Sequence, residues 1–387
     1  MKVIESASTA WVSLGVIARN EEQSIGPALE SLFRQSLFAE LERRSLQAEI
    51  FCLANGCTDA TAAVAARIFW EQSARHPHHR AFSGRALTLP EAGKINAWNQ
   101  FVHQISAPET HYLILMDADI LFGHVTTLWN LCQKLEQQPC AQVAVGDPVK
   151  DLALKNKPSL PERLSLATSR MTQGAAAQLT GQLYCIRAAA ARRIRLPREL
   201  AACEDGFIKS LVCTDFLTKA PQPERIARVP QASHIFTAYV TAGDILRNQK
   251  RQMIGQTYVH LLVDRLLPSL PEEDRADLAA TVQQLDAVLP GWLGRLLQEH
   301  LRQTRWFWRL FPGILTFRFR RLAPLPLGRR LRHLPAALAG QAITLTACWL
   351  AARALRGGQR QYWPTRRGQP PGRENGPMGL AQPGLPG

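Results

Sequence analysis

The chain has 387 residues, of which 46% are apolar and 20% are charged. This length allows two or three domains with a substantial core, and the composition excludes a collagen-like, a wholly disordered or a small disulfide-stapled protein. Charge is spread unevenly, because residues 301–387 hold 15 Arg, no Lys and one acid, whereas residues 1–300 hold 31 basic and 30 acidic side chains. The sequence therefore predicts a near-neutral body and a cationic extension, whose partner is an anionic surface such as a membrane or a nucleic acid.

Short apolar runs alternate with segments of helical periodicity along the first 300 residues. Strands are predicted at 11–18, 49–54, 85–89, 112–116, 142–145 and 182–186. Helices are predicted from residue 25, at 60–70, at 93–106, from residue 204 and over most of 242–300. This alternation is typical of βαβ units, so we expect an α/β fold with a mainly parallel sheet flanked by helices. Ligands of such sheets bind beyond the carboxyl ends of the strands, which makes the polar clusters after the strands candidate sites.

Two carboxylates, Asp117 and Asp119, follow the predicted strand 112–116 directly. Because residues i and i+2 of an extended segment point to one side, both side chains are expected on the same face. Mg²⁺ and Mn²⁺ prefer oxygen ligands and are often held by one or two carboxylates together with substrate phosphates. The pair is therefore a candidate metal site, although a solvated acidic turn has the same pattern.

Three other polar clusters lie near predicted helix starts. Lys94 follows Gly93 and is either a phosphate-binding residue or an ordinary surface lysine. Glu204 and Asp205 open a helix, where one carboxylate suits a general base and both suit helix capping. Residues 247–252 form a basic helical patch that suits either a diphosphate leaving group or a solvated face.

Taken in order, these segments resemble the catalytic domain of glycosyltransferase family 2, which has an A-type nucleotide-sugar transferase fold. The resemblance covers about residues 10–255. It is carried by VSLGVIARNEEQSIGPALESLFRQ (12–35), EIFCLANGCTDATAAVA (49–65), GKINAWN (93–99), DAD (117–119), GQLYCIR (181–187) and the pair Glu204-Asp205.

The resemblance implies transfer of a sugar from a nucleoside diphosphate to a hydroxyl acceptor, usually with inversion. The nucleotide-sugar pocket is then expected to contain Asn20, Glu22, Asn55, Asp59, Lys94 and Asp117. The metal, Mn²⁺ or Mg²⁺, is expected on Asp119 and Asp117, and His234 is either a further ligand or a structural histidine. Asp205, with Glu204 beside it, is the expected base, and Arg251 is expected to stabilise the leaving diphosphate.

The sequence departs from the family pattern in three places. Ala54-Asn55 stands where many members have Asp-Asp or Asp-Asn, which puts a uridine donor in doubt. The processive motif Gln-x-x-Arg-Trp is incomplete, since Arg251 is followed by Gln252, and this favours transfer of a single sugar. The sequence also shows no multi-helix membrane channel.

Four regions are predicted along the chain. A nucleotide-sugar-binding catalytic domain spans 1–240, a helical region at 241–300 closes the site, an Arg- and aromatic-rich helical extension spans 301–367, and a disordered tail spans 368–387. Residues 334–352 lack charge, which suits a membrane-spanning helix, a membrane-surface or re-entrant helix, or a soluble packed helix. The interleaved Trp, Phe and Arg favour a membrane–water interface over nucleic acid or packing on the body.

The sequence therefore predicts an inverting, metal-dependent transferase with a nucleotide-sugar donor and a hydroxyl acceptor that is lipid-linked or a cell-envelope glycan precursor. We expect it at the cytoplasmic face of a membrane, because the apolar run 11–18 lacks the flanks of a signal peptide and the Arg-rich extension suits a membrane surface. The eight cysteines show no zinc spacing and are expected to be reduced and mostly buried thiols. No nucleic-acid partner is expected. Two alternatives stay open, namely a non-catalytic membrane-associated scaffold and a nucleotidyltransferase of related fold.

Overall fold

The computed structural model describes residues 10–155, 157, 159, 178–200, 202–239, 241–304, 306–323 and 326–358. Within them, the strands are β1 (Val12–Ala18), β2 (Ala48–Asn55), β3 (Phe82–Leu89), β4 (Tyr112–Asp117), β5 (Leu121–Phe122), β6 (Val143–Lys150), β7 (Leu183–Arg187) and β8 (Ile226–Phe236). These eight strands form one sheet in the order β3-β2-β1-β4-β7-β6-β8-β5. The predicted tail 368–387 lies outside the described residues.

The strands pair in both directions, and parallel pairs predominate. Strands β3, β2, β1 and β4 are parallel neighbours, and β6 and β8 are also parallel. Strand β7 runs antiparallel to β4 and β6, and β5 runs antiparallel to β8. The predicted α/β fold with a mainly parallel sheet is therefore confirmed.

Helices flank the sheet and continue beyond it toward the C-terminus. Around the sheet they are α1 (Ile25–Phe33), α2 (Leu37–Arg43), α3 (Thr61–Arg75), α4 (Lys94–Gln100), α5 (Thr127–Gln137), α6 (Ala188–Arg192) and α7 (Glu204–Cys213). They are followed by α8 (Ala242–Leu261), α9 (Leu267–Ser269), α10 (Glu272–Ala276), α11 (Leu278–Val288), α12 (Trp292–Gln303), α13 (Phe317–Leu322) and α14 (Leu327–Arg356). π-helical turns extend α4 over Phe101–Ile105 and α8 over Leu262–Leu266.

Several elements, among them β5, β8, α5 and α6, are absent from the sequence-based prediction. Strand β8 contains Pro230, and a proline normally argues against a strand inside a sheet. Here Pro230 lies in an irregular stretch between Arg228 and Ser233, where the register between β6 and β8 shifts and regular pairing is interrupted. Helix α5 has the expected helical signal, since its buried residues include Leu128, Leu131 and Leu135 at spacings of three and four.

The sheet buries an apolar core on each face. On one face, α1, α2, α3 and α5 pack over β1, β2 and β4. On the other face, α4, α7, α8, α12 and α14 contribute to one continuous cluster. Because β1 is buried along its whole length, its near-continuous apolar sequence matches a strand covered on both sides. The carboxyl ends of the parallel strands β1, β2 and β4 therefore gather the loops that carry the candidate residues.

Gly146 lies where strands β6 and β8 approach most tightly. The register shifts between Val145 and Asp147, which makes this a β-bulge. A Cβ atom added to Gly146 would lie 1.5 Å from the carbonyl oxygen of Ala232. Only glycine fits this position without displacing the backbone of β8.

We expect Gly146→Ala to lower the free energy of unfolding by about 3 kcal/mol, because the added methyl group forces the neighbouring strands β6 and β8 apart. Chemical denaturation measures the change. Gly243→Ala is the matched control, since a Cβ there meets nothing within 4 Å, and it should change stability by less than about 1 kcal/mol. Equal destabilisation by both substitutions would contradict the packing argument.

Candidate active site

The loops after β1 and β2 are tied to each other by backbone and carboxylate hydrogen bonds. Asn20, which has a left-handed φ of 55°, accepts a hydrogen bond at Oδ1 from the Thr58 amide at 2.8 Å. The Glu22 amide donates to Asp59 Oδ2 at 3.1 Å, and the Ala60 amide donates to Glu22 Oε2 at 3.1 Å. The structure thus brings Asn20, Glu22 and Asp59 together, as expected for residues lining one pocket.

Asn55 has a different position from the one that the sequence suggests. Its side chain is fully buried at the end of β2. Its Nδ2 donates to the Ala18 carbonyl at 2.7 Å, and its Oδ1 accepts from the Gly93 amide at 2.8 Å. Because no part of this side chain reaches the surface, the structure gives Asn55 a positioning role, in which it ties β1 and β2 to the start of α4.

Lys94 is the centre of the polar site. Its Nζ lies 2.7 Å from Asp117 Oδ1 and 2.9 Å from Glu204 Oε1. The same Nζ donates to the Gly181 carbonyl at 2.9 Å. This placement differs from the expected contact with the base or phosphates of a donor. Lys94 instead links the first aspartate of the DxD sequence to the carboxylate pair at the start of α7.

Gly181 also belongs to this polar site, although the sequence analysis names it only as the first residue of the segment 181–187. Its amide faces Asp205 Oδ2 at 3.3 Å, while its carbonyl accepts from Lys94. A Cβ atom at this position would lie 2.7 Å from Glu204 Oε1. The sequence signal for this role is a glycine directly before a predicted strand. A glycine is needed there because Glu204 approaches the backbone closely.

The start of α7 holds both carboxylates in place. Cys203, the residue before the pair, has a left-handed φ of 63°, and its Sγ donates to the Gln252 carbonyl of α8 at 3.5 Å. Asp205 Oδ1 accepts from the Gly206 amide at 2.8 Å. Gly255 of α8 permits this contact, since a Cβ there would lie 2.6 Å from the Ala202 carbonyl oxygen. Helix α8 therefore fixes the turn that presents the pair.

The buried carboxylates differ in proton affinity. Burial raises the pKa of Asp117 to about 7, with the nearby Asp119 adding to the effect and Lys94 opposing it. Burial also acts to raise the pKa of Glu204, but Lys94 outweighs it and holds the pKa below its usual range. Burial and the charge of Glu204 together raise the pKa of Asp205. Asp205 is thus the more basic member of the Glu204–Asp205 pair.

Arg251 is partly buried on α8 and acts on the same cluster. Its charge contributes to the lowered pKa of Glu204. Its Nε is buried and has no hydrogen-bond partner among the described residues. A buried guanidinium N–H without a partner fits an anionic ligand, because arginine binds phosphate through several donors at once.

The residues at the end of β4 fit a divalent cation that is bound together with a substrate. In the part of the chain that the structure describes, no three His, Cys, Asp or Glu side chains form a group that could hold a metal ion. Asp117 is paired with Lys94, whereas Asp119 is exposed. A single exposed carboxylate fits Mg²⁺ or Mn²⁺, since these ions often take one or two carboxylates plus phosphate oxygens and waters.

His234 lies in β8 and is fully buried. Its Nε2 lies 3.2 Å from Gln182 Oε1. Burial lowers the pKa of His234 to about 4, so the imidazole is neutral at physiological pH. This contact and the burial suit a structural histidine. The role of His234 as a metal ligand stays a prediction.

A comparison with family sequence models identifies one segment of the chain. Residues 13–195 match the model described as glycosyl transferase family 2. This segment is a glycosyl transferase family 2 domain. The domain contains the loops after β1 and β2, Lys94, the DxD sequence and Gly181, and it supports a glycosyltransferase that uses a nucleotide-sugar donor.

The chain is also similar to solved structures. One similar structure is S. aureus TarS 1-349, at 15% identity, covering 90% of this chain and 92% of that chain, with a TM-score of 0.43. Another is glucosyl-3-phosphoglycerate synthase from Mycobacterium tuberculosis, solved with Mn²⁺, UDP-glucose and phosphoglyceric acid, at 15% identity, covering 66% of this chain and 79% of that chain, with a TM-score of 0.42. A search of the curated proteins found no match.

We expect Lys94→Met to lower the free energy of unfolding by about 3 kcal/mol at pH 7, because it leaves Asp117 and Glu204 buried without their cation. Lys94 lowers the pKa of Glu204 in the folded state, so its contribution is present above the unfolded pKa of Glu204 and is lost as pH falls. The difference between the two proteins should therefore shrink toward pH 4. Denaturant unfolding at several pH values measures it.

Lys219→Met is the matched control for that experiment. Lys219 also pairs with a carboxylate, Asp215, at 2.8 Å, but its side chain is exposed. Its loss should cost less than about 1 kcal/mol, since exposed ion pairs contribute little. A penalty for Lys94→Met that matches this control, or one that does not change with pH, would show that the bridge is not a buried ion pair.

Proposed function

We propose that the protein is an inverting glycosyltransferase that moves one sugar from a nucleoside-diphosphate sugar to a hydroxyl acceptor. The observation that carries this proposal is the bridge from Asp117 through Lys94 to Glu204, with Asp205 beside it. The bridge joins a carboxylate at the donor side, after β4, to a carboxylate pair that suits the acceptor side.

In the proposed reaction, Asp205 accepts the proton of the acceptor hydroxyl. The acceptor oxygen forms a bond to the anomeric carbon as the bond from that carbon to the diphosphate oxygen breaks, so the electron pair leaves with the diphosphate. Attack from the face opposite the leaving group inverts the anomeric centre. The raised pKa of Asp205 suits this role, because a base is most effective when its pKa lies nearer the working pH.

The leaving diphosphate needs positive charge as it departs. Arg251 is placed to supply part of it, with a buried Nε that has no partner among the described residues. Asp119 would hold Mn²⁺ or Mg²⁺, and such a bound ion neutralises developing charge on phosphate oxygens. Lys94 keeps Glu204 ionised, so Glu204 does not take the proton of the acceptor. Glu204 instead holds the Lys94 ammonium group next to Asp205, the proposed base.

We also propose that one sugar is transferred per acceptor and that the acceptor is lipid-linked or a cell-envelope glycan precursor at the cytoplasmic face of a membrane. Single transfer is supported by Gln252, which stands where processive members have tryptophan. A membrane acceptor is supported by the net charge of residues 301–387, which hold 15 Arg and one acid.

We expect Asp205→Asn to lower kcat by about 10²- to 10⁴-fold with folding preserved, because it removes the base. Asp264→Asn, a change of the same kind at an exposed site, is the control and should leave kcat unchanged. A steady-state glycosyl-transfer assay with the two variants measures this. Unchanged activity in Asp205→Asn would exclude Asp205 as the base, and an inactive wild-type protein that still binds membranes would favour a scaffold.

The pH dependence of kcat/KM should reflect the same carboxylates. Asp205 must be ionised to act, so activity rises with pH, and its raised pKa places the acid limb above the ordinary aspartate value of 3.8. Protonation of Asp117, whose pKa is about 7, acts in the same direction. A pH–rate profile that stays flat down to pH 4 would contradict both assignments.

Donor binding should be detectable without an acceptor. A ligand that binds only the folded protein at about 100 times its Kd stabilises it by about 2.7 kcal/mol, so one member of a panel of UDP-, GDP-, dTDP- and CMP-sugars should raise Tm in Mn²⁺ or Mg²⁺. EDTA and Asp119→Ala should each remove the metal-dependent part of the shift. A shift that is equal in EDTA would exclude the metal, and no shift with any donor would contradict the proposed donor class.

A further inference from the structure

The exposed large apolar side chains are concentrated in one part of the protein. Seventeen such side chains are exposed in the described residues, and ten of them lie between 306 and 349. They are Trp306, Trp308, Leu315, Phe319, Leu327, Leu331, Leu334, Leu338, Ile343 and Trp349. Isolated exposed apolar residues are ordinary, but a concentration in about a ninth of the chain marks an interaction surface.

Five of these ten residues form a stripe along α14. At about 100° per residue, Leu327, Leu331, Leu334, Leu338 and Trp349 fall within an arc of about 60° on the helix. Their exposed fractions are large, for example 72% for Leu327 and 62% for Leu331. At about 1.5 Å per residue the stripe is roughly 33 Å long. We call it the α14 stripe.

A neighbouring face of the same helix is fastened to the body of the protein. Gln341 donates to the Ile314 carbonyl at 2.8 Å, and Thr344 lies within 3.5 Å of Gln249 of α8. Cys348, Ala351 and Leu355 continue this buried face at helical spacing. Helix α14 is therefore packed along one side and open along another.

This packing bears on how α14 meets a bilayer. Residues His333–Arg356 are long and apolar enough to cross a membrane, which for a single helix is weak evidence. A crossing helix would have to leave α8 and carry the polar side chains of Gln341 and Thr344 into lipid. A helix that lies in the plane of the interface keeps those contacts and buries only the stripe.

Positive charge is concentrated in the same part of the chain as the stripe. The exposed arginines of this region are Arg309, Arg320, Arg329, Arg330, Arg353 and Arg356. Residues 301–373 contain no Asp or Glu. Trp306 and Trp308 stack with ring centroids 4.7 Å apart beside this surface. Tryptophan and arginine together match the headgroup level of a membrane, where indole rings reside and guanidinium groups meet lipid phosphates.

We infer that the α14 stripe and its arginines form an in-plane docking surface for an anionic phospholipid bilayer. A nucleic acid would satisfy the arginines and stack on Trp349, but it offers no apolar interior for the four leucines of the stripe, which have no ring to stack on a base. A second copy of the chain would bring two arginine-rich, acid-free surfaces together. A bilayer supplies both the apolar interior and the phosphates. The inference does not depend on the proposed reaction.

Vesicle sedimentation with the full-length protein tests the surface. We expect strong binding to phosphatidylcholine vesicles that contain phosphatidylglycerol, weak binding to phosphatidylcholine alone, and release by high salt. Leu331→Glu with Leu338→Glu should weaken binding at least about tenfold, since both changes place a charge in the stripe. The matched control is Val288→Glu with Leu289→Glu, two exposed apolar residues outside the surface, and should bind normally.

Each of the following outcomes would contradict the proposed docking surface. Failure to bind anionic vesicles, or equal binding by the stripe variant, excludes the docking surface. Protein that stays with vesicles through alkaline carbonate extraction indicates a spanning helix. Salt-sensitive binding to single-stranded RNA without vesicle binding assigns the surface to nucleic acid, and a dimer that the stripe variant abolishes assigns it to a second copy. The donor-induced Tm shift of the stripe variant should equal that of the wild type, which separates this test from that of the reaction.

Discussion

The ammonium group of Lys94 is the interaction on which the polar centre of this protein depends. It contacts Asp117, Glu204 and the Gly181 carbonyl, so one cation joins the end of β4, the loop before β7 and the start of α7. Three carboxylates, those of Asp117, Glu204 and Asp205, lie near one another in a mostly buried setting, and like charges so placed repel. Lys94 offsets that repulsion and thereby sets the spacing of the elements that carry the site.

The same cation separates the chemical roles of two adjacent carboxylates. Glu204 is bound directly by Lys94 and has a lowered pKa, whereas Asp205 feels the charge of Glu204 and has a raised pKa. Neighbouring acids whose environments push their pKa values apart are a common basis for assigning acid and base roles. The backbone supports this division, because the Gly181 and Gly206 amides orient the Asp205 carboxylate without neutralising it.

Local patterns predicted the central strands well, because β1, β2 and β4 are apolar runs whose burial on both faces needs no distant information. They also placed the DxD sequence at the end of β4, which is such a run, and the Glu204–Asp205 pair at the start of α7, which has a helical pattern. They could not predict the contacts of Lys94, whose partners lie in three separate segments, or the burial of Asn55, which results from its bonds to Ala18 and Gly93. Strand β8 was missed because Pro230 argues against a strand until the bulge opposite Gly146 is known.

Helix α8 connects the two parts of the molecule that carry function in our proposals. One side of it holds the Cys203 turn through Gly255 and the Gln252 carbonyl, and its Arg251 acts on Glu204. Another side meets α14 through Gln249 and Thr344. Because α14 bears the exposed stripe on a face that does not touch α8, a bilayer bound there would leave the carboxylate pair undisturbed. The packing of two helices thus holds the site at a fixed position relative to the docking surface, which suits an acceptor that is itself confined to the membrane.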